Sequence, residues 1–158
     1  MYIIYKNILT LEIHKFKKIK NLQYIISYLG LIPYIYLLID KYIFLRIEEE
    51  ILLNFILYYT LIISIFIGSI NWNLQKKVPN HLIIYGFIPT VYSLIIIILN
   101  LYSYNIKILF LLTVILLISQ LFFDFILIFA NLKNKKVFYF LRLPLTILIC
   151  LILIIIII

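Results

Sequence analysis

The residues with the most chemical potential are Asp124 and Arg142, because each is a charge placed within or beside a long apolar run. A charge at the middle of a bilayer costs at least about 2.5–3.5 kcal/mol on insertion scales. An acid at such a position therefore needs a cation, a proton or a path to water. The spacing offers the cation. Asp124 lies nine residues before Lys133, and Arg142 lies nine residues after it. In an antiparallel helical hairpin turning near Lys133, equal separations mean equal depth. Gln120 and Thr146 lie one helical turn further from the turn, on the same faces as Asp124 and Arg142. The hairpin is expected to carry two polar rungs, Asp124–Arg142 and Gln120–Thr146. At 1.5 Å per residue the charged rung lies roughly 9 Å below the helix ends, within reach of the interface for a snorkelling arginine. Three chemistries fit: a pair that locks two helices, a proton, ion or ligand site, or a contact with a partner subunit. The sequence shows no second acid well inside an apolar run, which weakens a proton relay.

Other reactive groups are sparse. His14 and His81 both fall near one face but outside the apolar runs, with no cysteine or acidic cluster beside them, so no metal or haem is expected. Cys150 is the single cysteine and sits in an apolar run, where it reads as a small filler. Three glycines cannot build the usual phosphate loop. No hydrolase, kinase or nucleotide-binding motif is present. The reading is therefore non-enzymatic, with no cofactor.

The elements that hold these residues follow from composition. Of the 158 residues, 66% are hydrophobic, against roughly 45–50% in an ordinary soluble domain. A water-soluble fold of this length cannot bury so much apolar surface, and lipid must take part of it. The expected fold is all-α, a polytopic helical bundle with about five spans near 22–39, 51–70, 82–99, 108–131 and 137–158. Each is close to the roughly 20 residues needed to cross hydrocarbon. Residues 1–21 form a basic segment, read as an interfacial helix, and 22–158 form the membrane domain.

The net charge of +8 does not indicate nucleic acid, because the basic residues occupy short segments between apolar runs. The N-terminal segment, the 71–81 loop and the 132–142 region hold eleven of the fourteen Lys and Arg. That asymmetry places the N-terminus inside and, with an odd number of spans, the C-terminus outside. The bias towards Ile, Leu, Lys, Asn, Tyr and Phe, with few Gly and Pro, fits an AT-rich genome of an organelle or a reduced bacterium.

Five segments carry a resemblance when taken in order. Span one holds Tyr28-Leu29-Gly30-Leu31-Ile32-Pro33. Span two runs from Tyr59-Thr60 to Gly68-Ser69-Ile70-Asn71-Trp72-Asn73. Span three holds Tyr85-Gly86-Phe87-Ile88-Pro89-Thr90, span four holds Asp124, and span five opens Leu141-Arg142-Leu143-Pro144-Leu145-Thr146. The pattern resembles the membrane family of unknown function that includes transmembrane protein 69, with members in proteobacteria and mitochondria. The likeness covers about residues 25–155. Asn71 stands where that family usually has histidine and Asn73 where it usually has glycine; chemistry resting on that histidine would be lost here. The resemblance implies a helical bundle and a membrane address, but no reaction. Gly68, Asn71, Trp72, Pro89, Asp124 and Arg142 are expected in the inside half of the bundle, as a packing layer or a shared pocket.

The expected function is that of an accessory subunit or assembly component of a mitochondrial inner-membrane respiratory complex. Its partners would be the lipid bilayer and other membrane subunits, and not nucleic acid. The alternatives are a small ion or solute transporter or channel using Asp124 and Arg142, and a bacterial inner membrane as the address.

Overall fold

The computed structural model describes residues 24–69, 79–130 and 138–157. The basic segment 1–21, Asn71, Trp72, His14 and the lysines at 76, 77, 133, 135 and 136 lie outside the described residues. Among the described residues all regular structure is helical. Five stretches are long and apolar enough to cross a membrane: Tyr24–Phe44, Glu49–Ser69, Asn80–Leu101, Ile106–Ile126 and Phe138–Ile157. The protein is thus an all-α, five-span integral membrane protein. The physical reason is general: in hydrocarbon each backbone N–H and C=O needs an internal partner, and a helix supplies it locally.

Two compact units divide at Pro33. In the first, residues 24–29 are helical, and a turn follows in which Gly30 N–H donates to Ile26 O at 3.3 Å and Leu31 N–H to Tyr28 O at 3.0 Å. The second unit carries the bundle. Helix α1 (Ile32–Ile39) runs into it and continues as a π-helical turn, Asp40–Phe44. Then come α2 (Glu49–Ser69), α3 (Asn80–Leu101) and α4 (Ile106–Ala130). A second π-helical turn, Phe138–Arg142, leads into α5 (Leu143–Ile157). Pro144 lies just where the π-helical turn passes into α5.

The buried positions recur at intervals of three and four residues. They are Leu57, Leu61, Ser64 and Gly68 on α2, and Gly86, Pro89, Ser93 and Ile96 on α3. On α4 they are Phe110, Thr113, Leu117 and Gln120, and on α5 Thr146, Ile149, Leu153 and Ile156. A 3.5-residue repeat of this kind keeps one seam of each helix facing its neighbours. Two of these seams are rich in small and polar residues. This is expected where lipid is as apolar as leucine and association depends on close packing and hydrogen bonds. Outward positions carry large apolar groups; Phe66 is 66% and Phe122 61% exposed. Such a surface suits hydrocarbon.

Helices α2 and α3 are antiparallel. Asn100 Nδ2 donates to Asn54 Oδ1 at 2.9 Å and to Tyr58 Oη at 2.7 Å, while Gly68 meets Gly86 at the other end. Helix α4 packs against α2, α3 and α5, which makes it the centre of the unit.

One expectation needs correction. The expected first span ends near residue 39, just short of Asp40. Asp40 is instead fully buried in the π-helical turn, inside the Tyr24–Phe44 stretch. Its backbone carbonyl accepts from Leu45 N–H at 2.7 Å, and its Oδ2 accepts from Ile47 N–H at 2.9 Å. Asp40 thus satisfies the turn that ends its own helix, with Leu45 in the left-handed region (φ 51°). Nearby, Lys41 Nζ donates to Ile156 O at 2.7 Å and Tyr42 Oη to Ile155 O at 2.9 Å, supplying carbonyls in the last turn of α5. Asp40 is therefore an acid buried within a span, where the sequence reading placed Asp124 alone.

Candidate functional site

The site is a polar layer at the end of the bundle opposite Asp40. It begins on α4, where Gln120 and Asp124 share a face one turn apart. Arg142 is the last residue of the π-helical turn before α5, and it donates from Nε to Asp124 Oδ2 at 2.5 Å. The two side chains are only 16% and 17% exposed. The charge pair is thus largely withdrawn from solvent, where attraction is stronger and an unpaired partner costs more. The equal-depth reading of the hairpin holds for this rung.

The other carboxylate oxygen is also occupied. Tyr85 Oη, carried by α3, donates to Asp124 Oδ1 at 2.9 Å and lies at the same distance from Gln120 O. Asp124 therefore has a partner on each of two neighbouring helices. Gln120 turns the other way. Its Nε2 donates to Ser64 O at 3.0 Å, and its Oε1 accepts from Ser64 Oγ at 3.1 Å, so the amide is matched on both sides by one residue of α2. Ser64 and Gln120 are buried.

This departs from the second expected rung. Thr146 is buried on α5, but the hydrogen bonds of the Gln120 side chain run to α2. Depth along a hairpin fixes the level of a residue, not the direction it faces, and Gln120 faces the third helix. Gly68 and Pro89 lie beside the layer. A Cβ built on Gly68 would fall 2.7 Å from Gly86 O and 3.0 Å from Pro89 Cγ. Glycine is required here by close approach of two backbones. Asn71 and Trp72 fall outside the described residues, and His81 is exposed in the first turn of α3. Among the described residues no group of three His, Cys, Asp or Glu is placed to hold a metal.

Tyr85 and Ser64 are the functional neighbours the depth argument missed. A signal for each exists in the sequence. Tyr85 is four residues before Pro89, and Ser64 four before Gly68, so each shares a face with a close-packing residue. Removing the Tyr85 hydroxyl has a definite expected result. Tyr85→Phe keeps the ring but leaves Asp124 Oδ1 without its donor, and stability should fall by about 1.5–3 kcal/mol, the range for a bond to a charged group. A denaturant midpoint in detergent measures this; an unchanged midpoint would mean the bond contributes nothing.

The layer joins four elements: α2 through Ser64, α3 through Tyr85, α4 through Gln120 and Asp124, and the entry to α5 through Arg142. The class this fold and layer define is a multi-pass helical membrane protein braced by an internal ion-pair network. No protein-family model, curated protein or solved structure matches the chain.

Proposed function

We propose that this protein is a non-enzymatic membrane subunit, an accessory or assembly component of a larger complex in the mitochondrial inner membrane, with the respiratory complexes as the class of partner. One observation carries the reading: the polar layer is closed by its own residues. Both carboxylate oxygens of Asp124 and both ends of the Gln120 amide are taken by side chains or backbone of the same chain. A carboxylate and an amide so occupied brace helices and leave little acceptor capacity for a substrate. Among the described residues, two recesses open elsewhere, one between Lys41, Glu49 and Lys107 and one along Glu48–Glu50, Asn54 and Asn100. Neither touches Asp124 or Arg142. The wide outward apolar surface supports lipid and helix contacts as the means of action. The AT-rich type of composition, the basic segments and the likeness to the transmembrane protein 69 family support an organellar address, with a bacterial inner membrane as the alternative.

The test is gentle detergent extraction of native membranes, size separation and identification of the proteins that travel with this one. Stable co-migration with a respiratory complex is expected. Migration as a free small species would remove the subunit reading.

A second reading is a small ion or solute transporter or channel using Asp124 and Arg142, to which Asp40 adds another buried acid. This buried acid at the opposite end of the bundle has one carboxylate oxygen, Oδ1, without a partner among the described residues. Under that reading Asp124→Asn alters flux at unchanged protein abundance. Under the bracing reading it lowers abundance, because Arg142 loses its charge partner.

A further inference from the structure

We propose that Ser93 marks a buried water site in the middle of the bundle, between α2, α3 and α4. Ser93 is fully buried, and among the described residues its Oγ has no hydrogen-bond partner. The other buried hydroxyls of these helices are differently placed. Thr60 Oγ1 donates to Ile56 O at 2.7 Å, Thr113 Oγ1 to Leu109 O at 2.8 Å and Ser64 Oγ to Gln120 Oε1. A helical serine ordinarily returns its proton to the carbonyl four residues back. For Ser93 that carbonyl belongs to Pro89, and the bond is not made. A dry, unpartnered hydroxyl in a low-dielectric interior is costly, and such groups are commonly served by ordered water.

The polar partners a water requires are at the right level. Contacts of Asn54 with Asn100 and of Gly68 with Gly86 set the antiparallel register of α2 and α3. That register puts Ser93 opposite Leu61, next to Thr60. The short connection between Leu101 and Ile106 sets the register of α3 and α4, and it puts Ser93 opposite the Thr113–Val114 step. Both threonines give their protons to their own helices, so their oxygens keep acceptor capacity. Thr60 also bonds Tyr34 Oη at 2.8 Å; with its own proton spent on Ile56 O, it accepts there and retains one lone pair. A water there accepts from Ser93 Oγ–H, and Thr60 and Thr113, at the same level on their own helices, carry the acceptor oxygens nearest in register for its two protons. Outward, Leu57, Ile96 and Leu109 are at most 1% exposed and close the bundle towards Asp40. Towards the other end lie Ser64 and Gln120.

The test uses the full chain in phosphatidylcholine vesicles and solid-state NMR that transfers magnetisation from water to nearby protons. Transfer to Ser93 Hβ is expected, with none to Ile96 one turn outward. A Ser93 that receives no transfer overturns the proposal, and this measurement needs no variant. Ser93→Ala gives a second reading. If the site holds water, the substitution strips the water of a donor and the melting midpoint falls by about 2–4 °C. If the hydroxyl is dry, its removal relieves an unsatisfied group, the midpoint rises, and the proposal is wrong.

Discussion

Arg142→Met should destabilise the protein more than the double substitution Asp124→Leu with Arg142→Met. The single change leaves the Asp124 carboxylate in a largely buried layer with Tyr85 as its remaining side-chain donor. Breaking a buried pair by removing one partner costs about 3–5 kcal/mol, whereas replacing both partners by apolar groups is often near neutral. The residual exposure of 16% and 17% gives some access to water and places the single variant near the lower bound, about 3 kcal/mol. The double variant should recover most of that loss. It still leaves Tyr85 Oη without its carboxylate acceptor, though the contact with Gln120 O persists, so recovery falls short by about 1 kcal/mol. Denaturant midpoints for wild type, both singles and the double, in one detergent, close the cycle. A double variant whose loss equals the sum of the singles would show that the pair is not a coupled unit, and the bracing function would lose its main support.

The cycle also separates the two functional readings, because they assign different roles to the same charges. A brace needs the pair intact and tolerates its joint replacement by packed apolar groups. A transport site needs the charges themselves, so the double variant would be stable and inactive.

Much of the fold could be read from the chain before any coordinates, because the bilayer removes most alternatives. An apolar run of about twenty residues in lipid can only be a helix or part of a closed barrel, and the runs here lack the alternation of a barrel strand. Helices α2, α3 and α4 each begin two residues before the expected limits of 51, 82 and 108. The Asp124–Arg142 pair was legible for a similar reason: a short loop fixes depth by counting. What counting could not give was azimuth. Gln120 sits level with Thr146, yet its amide bonds Ser64, because α4 packs on three helices and only the assembled bundle decides which one a side chain faces. Asp40 was misread for a local reason. A charge after an apolar run looks like the start of a loop, but here the carboxylate accepts the Ile47 N–H. The acid is consumed in closing its own helix, a use of polarity that hydropathy does not register.

Gly68→Ala should be strongly destabilising although alanine is the better helix former. Glycine in a helix interior is about 1 kcal/mol less favourable than alanine, so the substitution begins with a gain of that order. Against it stands the 2.7 Å approach of the new methyl to Gly86 O and the 3.0 Å approach to Pro89 Cγ. Neither obstacle is the free end of a flexible side chain. One is backbone and the other a ring fixed to it, so relief requires α2 and α3 to separate. Overpacking a tight contact costs typically about 1–3 kcal/mol. Separation would also carry Ser64, one turn from Gly68, away from Gln120, and tilt Tyr85 relative to Asp124. With those hydrogen bonds strained, the net loss should reach about 2 kcal/mol even after the propensity gain. Gly68→Leu should prevent the bundle from forming. Phe66→Ala is the control: it alters a side chain that is 66% exposed on the same helix, and its midpoint should stay close to wild type. A Gly68→Ala variant as stable as that control would mean the two helices can part without loss, and the polar layer would then not depend on their close approach.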